Sequence, residues 1–373
     1  MKLTLKIKLL PDKEQVDLLL STIKEANTAC NVISDVVWQN KVFNQFKIHN
    51  LCYYNIKSSF NLSSQVIVRC ISKVTDSYKI DRKVKRTFRE LGGITYDSRI
   101  LTYKSNDIVS IWSIVGRINI FYVCHNRKYL PYIKGEADLV FKKGKFYLFQ
   151  TVEVPEEDVK DIEEFIGVDF GQTDIAALSD GTNYNSEQLK KVRKKYSKVR
   201  ASIQSKGTKG SKKLLKRLSG KEKRFVSINN HTISKQIVAK AKKENRGIAI
   251  EDLSNIRKTA KIKSKRQKTE LNRWSFFQLR AFLTYKALLN GIKLIVVPSA
   301  YTSQTCNVCN HIGIRTGKRF RCENCGNISD ADHNAALNIA AWGCLINQPE
   351  KPSMLYCQVH SFLGLNTPLL AAE

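Results

Sequence analysis

The sequence lacks any long uncharged apolar run, and it has few acidic residues for its number of basic ones. A membrane-spanning helix needs about 20 consecutive apolar residues, so none is predicted. The N-terminal stretch MKLTLKIKLLPDKEQ alternates apolar residues with lysine, as strands do, and has neither the continuous apolar segment nor the cleavage site of a secretory signal. A cytoplasmic protein without membrane attachment is therefore expected.

Disulfide bonds and nucleophile triads are not indicated either. Only four of the ten cysteines fall into closely spaced pairs, and a chain of 373 residues with 42% apolar content can bury a sizeable core without cross-links. The histidines show no metal-ligand spacing, and no Ser-His-Asp or Cys-His pattern follows a strand. The scattered cysteines are expected to be reduced thiols that pack as small apolar side chains. They are Cys30, Cys52, Cys70, Cys124, Cys344 and Cys357.

Positive charge is the dominant feature of the composition. The chain carries 63 lysines and arginines against 33 aspartates and glutamates, a formal net charge of +30. Such an excess attracts polyanions at long range and through counterion release. Nucleic acid is therefore the leading partner, since the sequence shows no basic amphipathic anchor for an anionic membrane.

In the first half of the chain, a strand, a helical block and a β-rich region follow one another. Residues 2–10 alternate as a strand does, and residues 13–78 repeat apolar side chains at helical spacing with polar interruptions, which predicts two to four helices. From about residue 92, short β-rich runs alternate with turn residues. These patterns predict a β-barrel that the first strand joins, with the helices inserted between.

A second domain is predicted from about residue 166, after the acidic linker PEEDVKDIEE. Its apolar runs FIGVDF, DIAALSD, GIAIED and IKLIVVP alternate with long polar helices, as in a mixed α/β domain. After about residue 343 the pattern weakens, and the last 30 residues are expected to form a poorly ordered tail.

Acidic side chains follow two of these apolar runs. Asp169 ends the run FIGVD, and Glu251 ends the run GIAIE. Ligand crevices of open α/β sheets lie at such strand ends. A single Asp at a strand end is, however, often a turn residue, and Glu251 could be an exposed acid that balances the charge of nearby lysines. Asp330 and Asp332 begin a third element, a helix in SDADHNAALNIAAW, where one acid is expected to cap the helix and the other is available for chemistry.

Three converging carboxylates would form an oxygen-only site, which suits Mg²⁺ or Mn²⁺ better than zinc. Such a site can hold two ions, one that generates the nucleophile and one that stabilises the leaving 3′ oxygen during in-line attack on a phosphodiester. Together with the basic composition, the carboxylates predict a metal-dependent nuclease.

Four cysteines predict a second, different metal site. Cys306 and Cys309 are separated by two residues, as are Cys322 and Cys325, and twelve residues lie between the pairs. This spacing is typical of tetrahedral four-thiolate Zn²⁺ sites, which leave no position open for water and are structural. The basic loop HIGIRTGKRFR between the pairs is a candidate for positioning a substrate strand.

Basic residues are concentrated in two runs. Sixteen lysines and arginines between residues 190 and 224 stand against one acid, and a second run covers residues 257–268. We favour a phosphate-binding face over a merely solvated one, with no reading of base sequence. The candidate nucleic-acid-binding residues are Lys190, Lys191, Arg193, Lys194, Lys195, Lys212, Lys213, Lys216, Arg217, Arg257 and Lys258.

Several motifs carry a resemblance to a known family. IGVDFG, IAIEDL, NRWSFFQLRAFLTYKALLNGIKLIVV, TSQTCNVC and CENCGNISDADHNAALNIA occur in the order found in TnpB proteins. The sequence thus resembles the TnpB (OrfB) family of bacterial and archaeal insertion sequences, which is related to the compact type V CRISPR nucleases. The match covers about residues 160–342 and the N-terminal half more loosely. Asn310 and Ala331 depart from residues common in relatives, but neither change removes a ligand.

The resemblance implies an α+β multidomain RNA-guided DNA endonuclease whose protein part reads a short motif flanking the target. By the family's motifs, Asp169, Glu251 and Asp332 form the catalytic triad that holds two Mg²⁺ or Mn²⁺ ions, which leaves Asp330 as the helix cap. Guide RNA and double-stranded target DNA are the implied partners, and a monomer is favoured. The zinc ligands are Cys306, Cys309, Cys322 and Cys325.

The implied domains follow the same resemblance. They are a wedge β-barrel at 1–12 and 91–158, an inserted helical recognition lobe at 13–90, an RNase H-like (RuvC) α/β nuclease domain at 163–343 with a zinc ribbon inserted at 303–328, and a tail at 344–373.

Three other functions remain open. An unguided transposase or resolvase-like nuclease would use the same triad but cleave without RNA. A non-cleaving RNA-guided regulator would normally have a broken triad, whereas all three acids are present here. A zinc-ribbon nucleic-acid-binding module would leave the strand-end carboxylates unexplained.

Overall fold

A computed structural model of the chain describes residues 1–159, 161–254, 256 and 264–347. The chain forms two compact units, Met1–Pro155 and Glu156–Glu373. The predicted nucleic-acid-binding residues Arg257 and Lys258 lie outside the described residues, as does the predicted tail from residue 348 onward.

The first unit is built on a nearly closed antiparallel sheet of seven strands. These are β1 (Lys2–Leu10), β2 (Ile94–Tyr96), β3 (Leu101–Lys104), β4 (Ile108–Ser113), β5 (Gly116–Cys124), β6 (Ile133–Lys142) and β7 (Lys145–Glu153). Their order is β2-β6-β7-β1-β5-β4-β3. β2 forms one edge of the sheet and β4 lies next to the other edge. The Tyr96 hydroxyl of β2 donates to the Trp112 carbonyl of β4 at 2.9 Å, which joins the two sides. The first strand lies between β7 and β5, which confirms that it joins the later β-rich region.

Three helices connect the first two strands of this unit, within the predicted two to four. They are α1 (Lys13–Asn40), α2 (Gln45–Ser59) and α3 (Ser64–Ile80). Asp12 begins α1 with a capping box that includes Gln15, and Ser63 caps α3. Helices α1 and α3 pack through buried apolar stripes, and Ser34 and Tyr78 are joined by a buried hydrogen bond of 2.9 Å.

The second unit contains a mixed five-stranded sheet. Its strands are β8 (Phe165–Asp169), β9 (Asp174–Leu178), β10 (Asn183–Asn185), β11 (Gly247–Glu251) and β12 (Leu294–Val297), in the order β10-β9-β8-β11-β12. β8, β9 and β10 pair antiparallel, whereas β8, β11 and β12 pair parallel. The four apolar runs predicted for this domain are β8, β9, β11 and β12. β10 was not predicted because its three residues, NYN, are too short and polar to show a pattern.

Helices cover both faces of this sheet. They are α4 (Glu187–Ser205), α5 (Lys209–Leu218), α6 (Lys221–Glu244), α7 (Lys265–Arg273), α8 (Phe276–Leu289) and α9 (Ala331–Ile346). On one face, apolar residues of α4, α6 and α8 pack against Ile166 and Ile248. On the other, Ile339 of α9 packs against Phe165. Helix α9 continues to Ile346, so the predicted tail boundary at residue 343 falls inside the helix.

A small antiparallel sheet precedes α9. It consists of β13 (Ile314–Thr316), β14 (Arg319–Arg321) and β15 (Ile328–Asp330). This sheet and the loops that carry the paired cysteines form residues 303–330, which we call the four-cysteine module. Phe320 and Ala331 are fully buried beside Cys306 and Cys322, so the module packs directly on the start of α9.

Small residues allow α9 to lie close against β8 and β11. A Cβ atom added at Gly167 would lie 1.9 Å from the Ala336 carbonyl oxygen, and one added at Gly343 would lie 2.7 Å from the Ala249 Cβ. Gly167 and Ala249 are paired across the two strands. Helix α9 therefore comes closest to the sheet at Gly167 and Ala249. Asp169 and Glu251 follow two residues later on the same strands.

Replacing Gly167 by alanine should destabilise the second unit by about 3 kcal/mol, because the helix backbone must move away from the strand. The loss can be measured by urea unfolding. Gly210→Ala is the matched control, since the added methyl group there meets nothing closer than 3.9 Å, and it should change stability by less than about 1 kcal/mol. Equal stability of the two variants would contradict the packing of α9 on β8.

The cysteines outside the four-cysteine module lie in both units of the described chain. Cys30, Cys52, Cys70 and Cys124 are buried and Cys344 is half-buried, all without disulfide partners. The burial of the first four fits the expectation that these thiols pack as small apolar side chains, whereas Cys357 lies outside the described residues. No helix in the described ranges combines the length and the apolar content of a membrane-spanning segment.

Candidate active site

The three carboxylates singled out in the sequence line one cavity of about 590 Å³. Asp169 ends β8, Glu251 ends β11 and Asp332 lies in the first turn of α9. Their residues are 8%, 7% and 5% exposed, respectively. Each is thus held by regular backbone structure, with its side chain withdrawn from bulk solvent.

Strand register explains why the first two acids meet. β8 and β11 are adjacent and parallel, with Ile250 opposite Val168, so the next residues along, Asp169 and Glu251, stand side by side. Alternate residues of a strand face the same side, and Gly167 and Ala249 of these strands face α9. Asp169 and Glu251 therefore face α9 as well, and its first turn supplies Asp332.

Asp330 has a different task from Asp332. Its carboxylate accepts hydrogen bonds from the backbone N–H groups of Asp332 and His333, both at 3.0 Å, as a helix N-cap does. This confirms the assignment of the cap to Asp330. Asp332 lines the cavity, whereas Asp330 does not.

Negative charge is crowded in this cavity. Burial raises the pKa of Asp169 to about 6. A hydrogen bond with Glu251 opposes this rise, and repulsion from Asp332 adds to it. Burial and repulsion from Asp169 raise the pKa of Glu251 well above its usual range. Holding these carboxylates together in a buried cavity therefore costs free energy. A bound cation would offset the repulsion between them.

Two basic residues of the four-cysteine module contact buried aspartates of the second unit. The Arg315 guanidinium donates to Asp332 Oδ1 at 2.7 Å, and Lys318 Nζ lies 2.5 Å from Oδ2 of Asp174, a buried residue at the start of β9. The pKa of Lys318 is raised by this contact. Both residues belong to the basic loop HIGIRTGKRFR, whose sequence alone predicts no partner for either of them.

The four cysteine sulfur atoms form a compact cluster, all within 4.8 Å of one another. Sγ atoms of Cys306 and Cys325 are 3.7 Å apart, and those of Cys309 and Cys322 are 3.5 Å apart. A tetrahedral site with Zn–S bonds of about 2.3 Å has sulfur atoms separated by about 3.8 Å. The arrangement therefore fits one tetrahedrally coordinated ion.

The basic run at residues 190–224 forms α4, α5 and the start of α6. Eight of the nine described candidate nucleic-acid-binding residues are exposed. Arg193 is the exception: it is half-buried, and its guanidinium donates to the Arg273 carbonyl at 2.6 Å. Arg193 thus fixes α4 to the segment before α8 in addition to any contact with a ligand.

One further cavity residue was missed by the sequence analysis. Trp274, at the joint between α7 and α8, lines the carboxylate cavity and also an adjacent groove of about 640 Å³. The motif NRWSFF contained it, but nothing in its spacing separates a Trp at a cavity mouth from a Trp in a core. The site thus combines a buried acidic cavity, an aromatic residue at its edge and neighbouring basic helices.

Two family models and several known proteins match this chain. A family model described as "Probable transposase" (OrfB_IS605) matches residues 149–270, and one described as "Cas12f1-like, TNB domain" matches residues 276–339. The chain is 31% identical over 239 residues to a TnpB-like protein of Methanocaldococcus jannaschii, covering 60% of this chain and 84% of that protein. It is also 31% identical to the CRISPR-associated endodeoxyribonuclease Cas12f1 of Sulfoacidibacillus thermotolerans, over 53% of this chain and 50% of that protein.

A solved structure shares the fold. The Cas12f1 chain from the cryo-EM structure of a Cas12f1–sgRNA–target DNA complex superposes with a TM-score of 0.62 at 16% identity, covering 91% of this chain and 84% of that one. The likeness in fold extends over both units, whereas the sequence matches concentrate in the second. On the strength of the Methanocaldococcus relative and the two family models, this chain belongs to the TnpB-like protein family.

Proposed function

We propose that this protein is an RNA-guided DNA endonuclease that hydrolyses phosphodiester bonds at the cavity of Asp169, Glu251 and Asp332. The observation that carries the proposal is the convergence of three buried acids from β8, β11 and α9 in one cavity. Buried acids at adjoining strand ends cost stability, so their presence together indicates chemistry rather than a structural need.

The donor set fits divalent cations. The cavity offers carboxylate oxygens, and Arg315 is the cation among its described lining residues. When bound, two Mg²⁺ or Mn²⁺ ions would supply Lewis acidity on both sides of the scissile phosphate. The carboxylates would hold the ions, the strand ends would fix the carboxylates, and Arg315 would turn from Asp332 toward the incoming phosphate.

The four-cysteine module fits a structural Zn²⁺ site with four thiolates, that is, a zinc ribbon. Its closed donor set leaves no position for a substrate. Through Arg315 and Lys318, the folded module would orient Asp332 and Asp174, so zinc would act on catalysis indirectly. Zinc would also fix the start of α9, which packs against the buried Cys306 and Cys322.

The domain assignments are part of the same proposal. The antiparallel sheet of the first unit would be the wedge barrel and α1, α2 and α3 the recognition lobe. The five-stranded sheet with α4 to α9 would be the RuvC-type nuclease domain. The names of the relatives and the sgRNA and DNA in the Cas12f1 complex support guide RNA and target DNA as partners. The net charge of +30 supports both.

The proposal is tested by expressing the chain with its native locus, sequencing the RNA that co-purifies, and assaying DNA that matches the RNA. Cleavage is expected with Mg²⁺, none is expected in EDTA, and none is expected on unmatched DNA. Cleavage after complete removal of RNA would favour the unguided nuclease. Stable RNA and DNA binding without cleavage in Mg²⁺ or Mn²⁺ would favour the regulator and contradict the proposed chemistry.

A further inference from the structure

Two asparagines are buried in α9. Asn334 is 0% exposed and Asn338 is 4% exposed, whereas the other buried residues of this helix, apart from Asp332, are small or apolar. Burying a side-chain amide costs free energy unless its hydrogen bonds are made. Simple packing would be served better by an apolar residue at both positions, so the two amides point to a task that only a hydrogen-bonding group can perform.

Both amides bind one turn at the start of the four-cysteine module, residues 301–305, which we call the clamped turn. Asn334 donates to the Thr305 carbonyl at 2.7 Å. Asn338 donates to the same carbonyl at 2.7 Å and to the Thr302 carbonyl at 2.9 Å. Thr302 and Thr305 are themselves buried. Because water is excluded there, these bonds are strong and direct the helix to one place on the turn.

A further hydrogen bond joins Asn334 to the sulfur cluster. Its Oδ1 atom accepts from the backbone N–H of Asn307 at 3.1 Å, and Asn307 lies between Cys306 and Cys309. The Asn307 side chain in turn accepts from Asn327 Nδ2 at 3.3 Å, in the segment that follows the second pair of cysteines. Helix α9 is thus hydrogen-bonded to the first pair of cysteines and, through Asn307, to the second.

These contacts lie on the side of α9 opposite to Asp332. With 3.6 residues per turn, successive residues are about 100° apart around the helix axis, so Asn334 and Asn338 lie about 200° and 240° from Asp332. By the same spacing, Ala336 and Gly343, where the helix approaches the sheet, lie within about 40° of Asp332. The helix is therefore held between the sheet on one side and the clamped turn on the other.

The sheet side of α9 consists of alanine and glycine at the points of closest approach. Helices interlock with their neighbours through ridges of side chains, and such small residues form low ridges. The hydrogen bonds of two successive helical turns to buried carbonyls add the missing constraint on rotation and height. A change of register by one residue would rotate Asp332 by about 100°, away from Asp169 and Glu251.

The clamped turn is also part of the cavity. Thr302 and Ser303 line it together with the three acids, whereas Asn334 and Asn338 do not. The asparagines therefore touch neither the space for the ions nor the space for a substrate. They join the helix that carries Asp332 to a wall of the same cavity.

We infer that Asn334 and Asn338 are positioning residues for the proposed reaction. They clamp α9 at the rotation about its axis at which Asp332 can share an ion with the acids of β8 and β11. The inference rests on the proposed function, because the placement of Asp332 matters to the reaction only if its carboxylate holds an ion. Groups that orient metal ligands in this way typically contribute about ten- to a hundredfold to metal affinity or activity.

Asn334→Ala and Asn338→Ala are tested singly in the full-length protein with its co-purified RNA. Each should raise the Mg²⁺ concentration for half-maximal cleavage about tenfold, while the KM for matched DNA stays within about threefold of the parent value. At saturating Mg²⁺ the cleavage rate should recover to within about tenfold of the parent, because all three carboxylates remain. Asp332→Asn lacks a ligand and should not recover.

Asn347→Ala is the matched control. Asn347 follows the far end of α9 and donates to the Ile162 carbonyl, so its replacement loosens the helix without touching the clamped turn. Hydrogen exchange of the RNA complex without DNA gives a readout independent of activity. The amides of residues 332–338 should exchange about tenfold faster in the two clamp variants. In Asn347→Ala, both this exchange and the Mg²⁺ dependence should match the parent.

A lower Tm of the clamp variants with unchanged Mg²⁺ dependence would reveal a purely structural role and overturn the inference. An equal shift in Mg²⁺ dependence for Asn347→Ala would overturn it as well. Asn334→Ala removes one donated bond and Asn338→Ala two, so the milder variant keeps the test decisive if circular dichroism shows the other to be unfolded. If the parent cleaves and both clamp variants match it, the nuclease stands and the clamp is wrong. If the parent cleaves nothing in Mg²⁺ or Mn²⁺, the proposed function fails and the positioning role with it.

Discussion

Asp169→Asn is expected to abolish cleavage, lowering the rate by roughly a thousandfold or more while RNA binding is unchanged. The asparagine keeps the shape of the side chain but removes a charge that would help to hold the cations on which the proposed reaction depends. Glu251→Gln and Asp332→Asn should behave alike, because the three acids line one cavity. The rate is measured on guide-matched DNA at saturating Mg²⁺, and Glu187→Gln, an exposed acid at the start of α4, is the control.

The same change should make the metal-free protein more stable. Asp169 is 8% exposed and lies beside Glu251 and Asp332, so removing its charge relieves both repulsion and the cost of burial. A rise in Tm of about 2–4 °C in EDTA is expected for each kcal/mol gained. An inactive and destabilised variant would indicate a folding defect. A fully active Asp169→Asn protein would contradict the assignment of the active site.

Cys322→Ser is expected to have the second large effect, with loss of zinc, loss of order in residues 303–330 and a fall in cleavage of about a hundredfold or more. Binding of structural zinc contributes on the order of 10 kcal/mol to the folding of small modules, and Cys322 is fully buried in the cluster. Once the module unfolds, Arg315 and Lys318 no longer hold Asp332 and Asp174. Metal content per chain, hydrogen exchange of the module and the cleavage rate are the three measurements.

Cys344→Ser is the matched control for that experiment. Cys344 is a half-buried thiol of α9 outside the sulfur cluster, so its replacement should leave one zinc ion per chain and nearly normal cleavage. If Cys322→Ser also retained zinc and activity, the four-thiolate site would be wrong. If it lost zinc but kept full activity, the contacts of Arg315 and Lys318 would have no part in catalysis.

Those features of the fold that depend on local pattern could be predicted from the sequence. β1 shows the strict alternation of a half-buried strand, and the runs FIGVD and GIAIE are fully buried strands that end in acids. The spacing of the two Cys-x-x-Cys pairs is by itself typical of a four-thiolate zinc site. Each of these signals is complete within a few residues, so no knowledge of the tertiary structure was needed to recognise it.

Features that depend on packing could not be predicted in the same way. The ion pair of Arg315 with Asp332 depends on how the four-cysteine module folds back on α9, and nothing in the loop HIGIRTGKRFR distinguishes Arg315 from its basic neighbours. The residues of α4 that line the groove beside the cavity depend on where the α7–α8 joint lies. β10 has no apolar residue pattern and exists only because it pairs with β9.

The position of α9 near the C-terminal end of the described chain has a consequence for synthesis on the ribosome. This helix supplies Asp332 and also covers the sheet face of Phe165 and Ala249. A nascent or prematurely terminated chain that ends before residue 331 would already carry the basic helices, yet it would have only two of the three acids and would expose apolar surface that marks it for degradation. A chain that ends before this helix would therefore lack both the third acid of the proposed active site and the cover of this sheet face.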